Sequence, residues 1–301
     1  MAINYNRNTT GEGNTDIELA KIQNALAKAQ SGASVSTGSG APTSTPVRVG
    51  DIYVNTDTGA MYMAMDTDGS WNWAYIGQGS TSSFTKDTIA GLTSWYKADD
   101  GPSPTTEATN ITSWVDKSTT GNTLTAVSGT RAYTSNVKNG LPGIRFVANS
   151  YISGTDLGNR SAPFTIFCVV LPTNIDAGTY QDFFSLGASY DTKIGKNTGT
   201  INSRATAGTD LVNGAVSNNT AQLFTFVANG ASSSLEINNN GATSGNAGST
   251  AHENRPIIGA AWNGTQGFTG YFLELLVYDG ALSTANIDIV KAYINNKWAI
   301  Y

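Results

Sequence analysis

Apolar positions alternate with polar ones over most of this chain, in short runs separated by turn residues. Leu92-Thr-Ser-Trp-Tyr-Lys97, Ile144-Arg-Phe-Val147, Asp182 to Leu186, Ala221 to Val227, Leu235 to Asn238 and Ile257-Ile-Gly-Ala260 all have strand length and strand composition. Phe164 to Leu171 and Gly270 to Tyr278 are two further strands, and Phe164 to Leu171 and Phe272 to Tyr278 are continuous apolar runs, the pattern of central strands buried on both faces or nearly so. Asn139-Gly140, Asn229-Gly230 and Asn240-Gly241 punctuate them as turns. Repeated short strands with turn signals and little helix predict an antiparallel sandwich over residues 81–301.

Helical spacing occurs at the two ends. Near the N-terminus, Thr15-Asp-Ile-Glu18 has the form of a capping box. Leu19, Ile22, Leu26 and Ala29 follow as a seam with coiled-coil spacing, so a helix is expected over about residues 15–30. Two heptads are marginal alone, and Leu19, Ile22 and Leu26 are the expected oligomerisation residues. At the other end, Ser283 is a natural N-cap, and Ile287, Val290, Ile294 and Trp298 form one stripe. That helix should cover part of the sandwich, with Trp298 as its anchor.

Between these elements lie a linker and a small β unit. Ser31 to Pro46 is rich in Gly, Ser, Thr and Pro and reads as a flexible linker, closing an anchoring segment of residues 1–46. Within residues 47–80, Asp51 to Asn55, Ala60 to Met65 and Trp71 to Ile76 alternate as three strands. The Asp66-Thr-Asp-Gly69 turn fails as a calcium loop of the helix-loop-helix type, because its sixth and twelfth positions are Trp71 and Gly77.

Composition narrows the function classes. Only 13% of the 301 residues are charged, and 33 are Gly. Solubility therefore rests on uncharged polar groups, as in proteins that face the outside of a cell or particle. A net charge of −5, with a pI near 4.8, lacks the basic footprint of a nucleic-acid binder. No run approaches the about eighteen apolar residues of a membrane span, and the first thirty residues lack the design of a signal peptide. The single cysteine, Cys168, sits in the apolar run Phe164 to Leu171 and reads as a small buried hydrophobe.

Candidate chemistry is sparse. The residues two positions after Glu12, Glu18, Glu107, Glu236, Glu253 and Glu274 are Asn14, Ala20, Thr109, Asn238, Arg255 and Leu276. A Glu-x-Asp-x-Glu strand, one way to hold the two carboxyl groups of a glycosidase, is therefore missing. His252 is the only histidine and has no nucleophile elbow before it. These observations lead to the expectation of a protein that is not an enzyme, with no catalytic residues and no cofactor. Asp99-Asp100-Gly101 could supply ligands to a calcium ion, although an acidic turn is the favoured reading. Trp262 and Tyr190 are candidate sugar-stacking aromatics.

Two resemblances add to this reading. Gly50-Asp-Ile-Tyr-Val-Asn-Thr-Asp-Thr-Gly59, followed by a Trp and a final Ile76-Gly77, is similar to a small β module of bacteriophage tail-fibre and virion proteins. Leu92 to Asp99, Ile111 to Ser118, Leu141 to Phe146 and Tyr271 to Tyr301 together resemble the laminin-G or concanavalin A-like sandwich. The resemblances imply a jelly-roll sandwich carried by a phage structural protein, made in the host cytoplasm and located in the virion. They also imply a homotrimeric fibre or decoration protein. Its partners would be its own copies, the capsid, collar or tail, and a host-surface glycan. A carbohydrate-binding module or bacterial surface adhesin is the alternative.

Overall fold

The computed structural model describes residues 35–39, 42–47, 50–55, 60–67, 70–78, 84–176, 178–187, 192–261 and 263–301. The expected N-terminal helix and its seam residues Leu19, Ile22 and Leu26 lie outside the described residues, as do Tyr190 and Trp262. Two compact units divide the chain, Met1–Thr85 and Lys86–Tyr301.

The first unit contains a four-stranded sheet, β1 (Val35–Gly38), β2 (Ile52–Asn55), β3 (Ala60–Thr67) and β4 (Ser70–Gln78), in that order. The last three are the strands expected from alternation. β1 is not: it lies inside the segment read as a linker and pairs in parallel with β2, Val35 opposite Ile52 and Thr37 opposite Val54. Its Ser and Gly content hides the two β-branched residues, and pairing along β2 supplies the hydrogen bonds that the sequence alone does not promise. Trp73 Nε1 donates to Ser44 O at 2.7 Å, which fixes a second piece of the same segment to the sheet. The described residues of that segment, 35–39 and 42–46, are thus tied to the sheet at β1 and at Ser44.

The second unit is a mainly antiparallel two-sheet sandwich. Its strands in chain order are β5 (Leu92–Lys97), β6 (Pro102–Ser103), β7 (Ser113–Trp114), β8 (Leu124–Ser128), β9 (Arg131–Lys138), β10 (Leu141–Phe146), β11 (Tyr151–Ser153), β12 (Asn159–Arg160) and β13 (Phe164–Pro172). There follow β14 (Gln181–Leu186), β15 (Thr192–Lys196), β16 (Asn202–Thr206), β17 (Asp210–Ala215), β18 (Gln222–Ala228), β19 (Ser233–Ile237), β20 (Thr243–Gly245), β21 (His252–Glu253), β22 (Pro256–Ile258) and β23 (Gly270–Asp279). One sheet runs β20-β19-β18-β13-β23-β10-β9, with β5 also paired to β23. The other runs β17-β16-β15-β14-β22-β11-β8-β7-β6, and β12 with β21 forms a separate two-stranded ribbon. The Asn139-Gly140 turn joins β9 to β10 with both residues at positive φ, 51° and 75°, a conformation that Asn and Gly adopt at least cost.

The core lies between the sheets. Phe183 on β14 meets Phe224 on β18 at 5.3 Å between ring centroids and Phe268 at 5.1 Å. Phe224 is the register partner of Cys168, whose buried thiol is pushed well above its ordinary pKa by loss of solvent. The residues that carried the sandwich resemblance do structural work here. Trp114 packs edge-on against Tyr96 and Phe272. Buried Asp116 accepts from the backbone N–H groups of Trp95, Ser118 and Asn122, so it stitches the loop after β7 to β5.

The opposite face of the β5-β23-β13 sheet is covered by α1 (Thr284–Trp298). Ser283 Oγ accepts from Asn286 N at 3.3 Å, the expected cap. Val290, Ile294 and Trp298 are buried as the stripe requires. Beneath them Glu274 of β23 is fully buried and saturated with donors. Trp95 Nε1 and Tyr293 OH donate to Oε1 at 2.7 and 2.6 Å, and Trp298 Nε1 donates to Oε2 at 2.7 Å. Lys297 Nζ pairs with the same Oε2 at 2.9 Å. One carboxylate therefore locks the helix to the sheet, and the Tyr293 hydroxyl, buried and beside that charge, is pushed far above its ordinary pKa.

Candidate functional site

A further buried carboxylate of the sandwich is in a different setting. Asp182 sits near the start of β14, and the ladder with β15 shifts register between Asp182 and Phe184. Such a bulge re-aims a side chain. Gly195 on β15 allows the strands to meet there, because a Cβ at that position would lie 2.2 Å from Gln181 O. Asp182, Gly195 and Arg204 are successive register partners across β14, β15 and β16.

Asp182 is fully buried with two cations, Arg204 Nη2 at 2.6 Å and Lys193 Nζ at 3.4 Å. Burial raises its pKa above the ordinary carboxyl value, and the two cations oppose the rise. Arg204 also reaches Asp210 Oδ1 at 3.3 Å and Gln266 Oε1 at 3.4 Å. Gln266 adopts φ 57° in the loop before β23 and receives the Asp182 N–H on its carbonyl at 2.6 Å. The Tyr180 ring lies 4.1 Å from the Arg204 guanidinium carbon, a close cation–π stack. Tyr180 is held in place because Lys196 Nζ donates to the carbonyl of Thr179, its chain neighbour.

These groups surround a depression of about 430 Å³, with Lys193, Arg204 and Thr206 at its base and Tyr180, Asp210 and Gln266 around it. Two buried polar atoms of this cluster have no hydrogen-bond partner: Arg204 Nε, on a residue that lines the depression, and Asp182 Oδ2, which lies behind the lining with Lys193 Nζ at 3.4 Å. Buried polar atoms without partners are rare in folded proteins, and each calls for an explanation. The unpartnered Arg204 donor, together with the Asp210 and Gln266 side-chain oxygens around the depression, suits a ligand bearing hydroxyl groups, which donate and accept at once.

None of these residues was singled out from the sequence. β15 and β16 read Thr-Lys-Ile-Gly-Lys and Asn-Ser-Arg-Ala-Thr, which resemble loops by composition, and only pairing across strands reveals the buried ion cluster. The one usable signal was Asp182 at the head of an apolar strand.

The Asp99-Asp100-Gly101 turn is engaged elsewhere. Asp100 pairs with Lys117 at 2.6 Å and Lys97 at 3.0 Å, and Asp99 with Lys297 at 2.7 Å. Lys117 above all holds the Asp100 carboxyl below its ordinary pKa. Both carboxylates of the turn are thus paired with lysine ammonium groups. Among the described residues no group of three His, Cys, Asp or Glu side chains is placed to hold a metal ion, and no helix is long and apolar enough to cross a membrane.

No protein-family model and no curated protein matches the sequence. Solved structures do resemble the chain. One is domain 4 of an extracellular arabinanase from Geobacillus stearothermophilus in complex with arabinotriose, at 16% identity and TM-score 0.48, covering 67% of this chain and 98% of that one. Another is the Trypanosoma rangeli sialidase in complex with 2,3-difluorosialic acid, at 11% identity and TM-score 0.49, covering 82% of this chain and 44% of that one. A third is an α-L-arabinofuranosidase soaked with a cyclic sulfate inhibitor, at 12% identity and TM-score 0.49, covering 64% and 52%. The chain thus matches only about half of the latter two proteins. These likenesses correct one expectation. They include glycosidases, so the reading of the chain as not an enzyme, which rested on a missing Glu-x-Asp-x-Glu strand and on a lone His252 without a nucleophile elbow, is not retained.

Proposed function

We propose that the chain is a bacteriophage structural protein, a trimeric fibre or decoration protein whose concanavalin A-like jelly-roll sandwich binds a glycan on a surface. The N-terminal region would tie it to capsid, collar or tail, and the depression around Arg204 would receive the sugar. The observation that carries the binding part is the unpartnered donor Arg204 Nε in a depression walled by an aromatic–guanidinium stack. Sugar rings suit such a place, since their hydroxyls fill polar vacancies while an aromatic ring offers an apolar face. The similarity of Gly50 to Gly77 to a phage module supports the virion part.

Two measurements on the full chain test the two parts separately. Light scattering should give the mass of three protomers; a monomer would sink the trimer. Immobilised bacterial surface polysaccharides should retain the chain, and Tyr180→Ala should lose at least about fivefold in affinity, in keeping with the loss of about 1 kcal/mol of stacking. Retention unchanged by Tyr180→Ala and by Gln266→Ala would remove the depression from the function.

A further inference from the structure

A second depression, of about 460 Å³, lies at the β12-β21 ribbon and is built around another buried cation. Arg160 of β12 has a side chain only 6% exposed. Its Nη2 donates to Thr93 Oγ1 at 2.7 Å and pairs with Asp279 Oδ1 at 2.7 Å. Its Nη1 is buried and has no hydrogen-bond partner. Asp279 is 65% exposed, so water shares its charge, and burial of Arg160 outweighs Asp279 and lowers the guanidinium's pKa. Of its two terminal nitrogens, one is thus doubly engaged and the other is left without a partner. Asn159, Ser161, Asn254 and Thr120 add neutral hydrogen-bonding groups to the walls, and Leu157, 43% exposed, adds an apolar surface. Asp279 is the one acid among the lining residues.

From this arrangement we propose that the Arg160 depression is a binding site for a carboxylate-bearing monosaccharide, a sugar acid of the hexuronate class. The carboxylate takes the unfilled Nη1 donor, reached through a small torsion of the flexible arginine stem, while Nη2 keeps its contacts with Thr93 and the solvent-facing Asp279. Charge-assisted bonds of this kind are about twice as strong as neutral ones, so the acid is preferred to the uncharged sugar. The amide and hydroxyl walls meet the ring hydroxyls and separate a sugar acid from a bare carboxylate. The volume lies within the about 300–1,000 Å³ usual for small-ligand sites. This site is independent of the Arg204 depression and does not require the reading given above.

The test is titration calorimetry of the full chain with glucuronate, glucose and acetate. Glucuronate should bind at least about tenfold more tightly than either glucose or acetate. Arg160→Gln should abolish the difference between glucuronate and glucose. Because that substitution also breaks the Thr93 and Asp279 contacts, Leu157→Trp provides a second route: it fills the mouth from an exposed position, should leave the melting temperature within a degree or two, and should weaken glucuronate at least tenfold. Equal binding of glucose and glucuronate would overturn the acid preference. Equal binding of acetate would reduce the site to a simple anion site and overturn the sugar assignment. No glucuronate binding, or binding unaffected by Leu157→Trp, would overturn the site itself. Loss of glucuronate binding in Tyr180→Ala but not in Leu157→Trp would move the ligand to the other depression.

Discussion

Glu274 and Asp182 are both acids with no exposed surface in the same sandwich, and they differ in how their oxygens are used. Glu274 is closed under α1 with three hydrogen-bond donors and an ammonium group distributed over both oxygens. Asp182 lies behind two cations that line an open depression, with Arg204 on Oδ1 and only a 3.4 Å approach of Lys193 to Oδ2. A carboxylate is costly to bury, and full saturation by donors offsets that cost. Burial by itself therefore does not separate an architectural acid from one kept for binding. Saturation does. Glu274 has no capacity left for a ligand, whereas the Asp182 cluster retains a vacant acceptor and, on Arg204, a vacant donor.

The strongest way to break this comparison is to remove Glu274. Glu274→Ala strands two indole N–H groups, a phenol and Lys297, and should lower unfolding free energy by about 3–5 kcal/mol, as for other broken buried pairs. Urea denaturation of the full chain measures it, and a loss below about 1 kcal/mol would show that the helix does not depend on this lock. Trp298→Ala should fall in the same range, about 3–5 kcal/mol, because it removes both a donor and a large buried volume.

Asp182→Asn should cost less, about 1–3 kcal/mol, since only one oxygen is well partnered in the wild type. Its pH dependence sharpens the contrast. Folding raises the Asp182 pKa above 3.8, so the folded state binds its proton more readily than the unfolded chain. The resulting contribution to stability is fully present below pH 3.8 and is lost as pH rises through the elevated value. Wild type should therefore gain on Asp182→Asn as the buffer is acidified through that window. A constant difference between the two proteins across it would mean that the cations hold the pKa at its ordinary value.

The smallest effects belong to groups that make neither kind of contact. Tyr180→Ala should change stability by only about 0.5–1 kcal/mol, the size of a partly exposed cation–π contact, while weakening glycan retention as stated above. Asp100→Asn removes solvent-facing pairs with Lys97 and Lys117 and should cost no more than about 1 kcal/mol. A larger loss would give the Asp99-Asp100 turn an architectural weight that its exposure does not suggest.

Sequence and structure agree best where apolar content is high. β5 coincides with the expected run Leu92 to Lys97, and β13 and β23 extend the expected runs by one residue each, to Pro172 and Asp279. β10, β14, β18, β19 and β22 differ from expectation by a few residues at their ends. Ser283 and the Trp298 stripe likewise define α1. The candidate sites follow the opposite rule. Lys193 and Arg204 sit on strands of polar composition, and Arg160 on a two-residue ribbon with no apolar pattern at all.

The amino-acid order by itself determined the β class, the buried central strands, the C-terminal cap and stripe, and the burial of Cys168. All of these follow from local periodicity and from the removal of apolar surface from water, which a chain declares residue by residue. Tertiary structure alone decided that Val35–Gly38 is a strand, that Glu274 is saturated and Asp182 is not, and that Arg160 keeps an unused donor. Those outcomes depend on which groups from distant positions arrive within hydrogen-bond reach. Trp95 and Glu274 are 179 residues apart, Arg204 and Gln266 are 62, and no local pattern records such meetings.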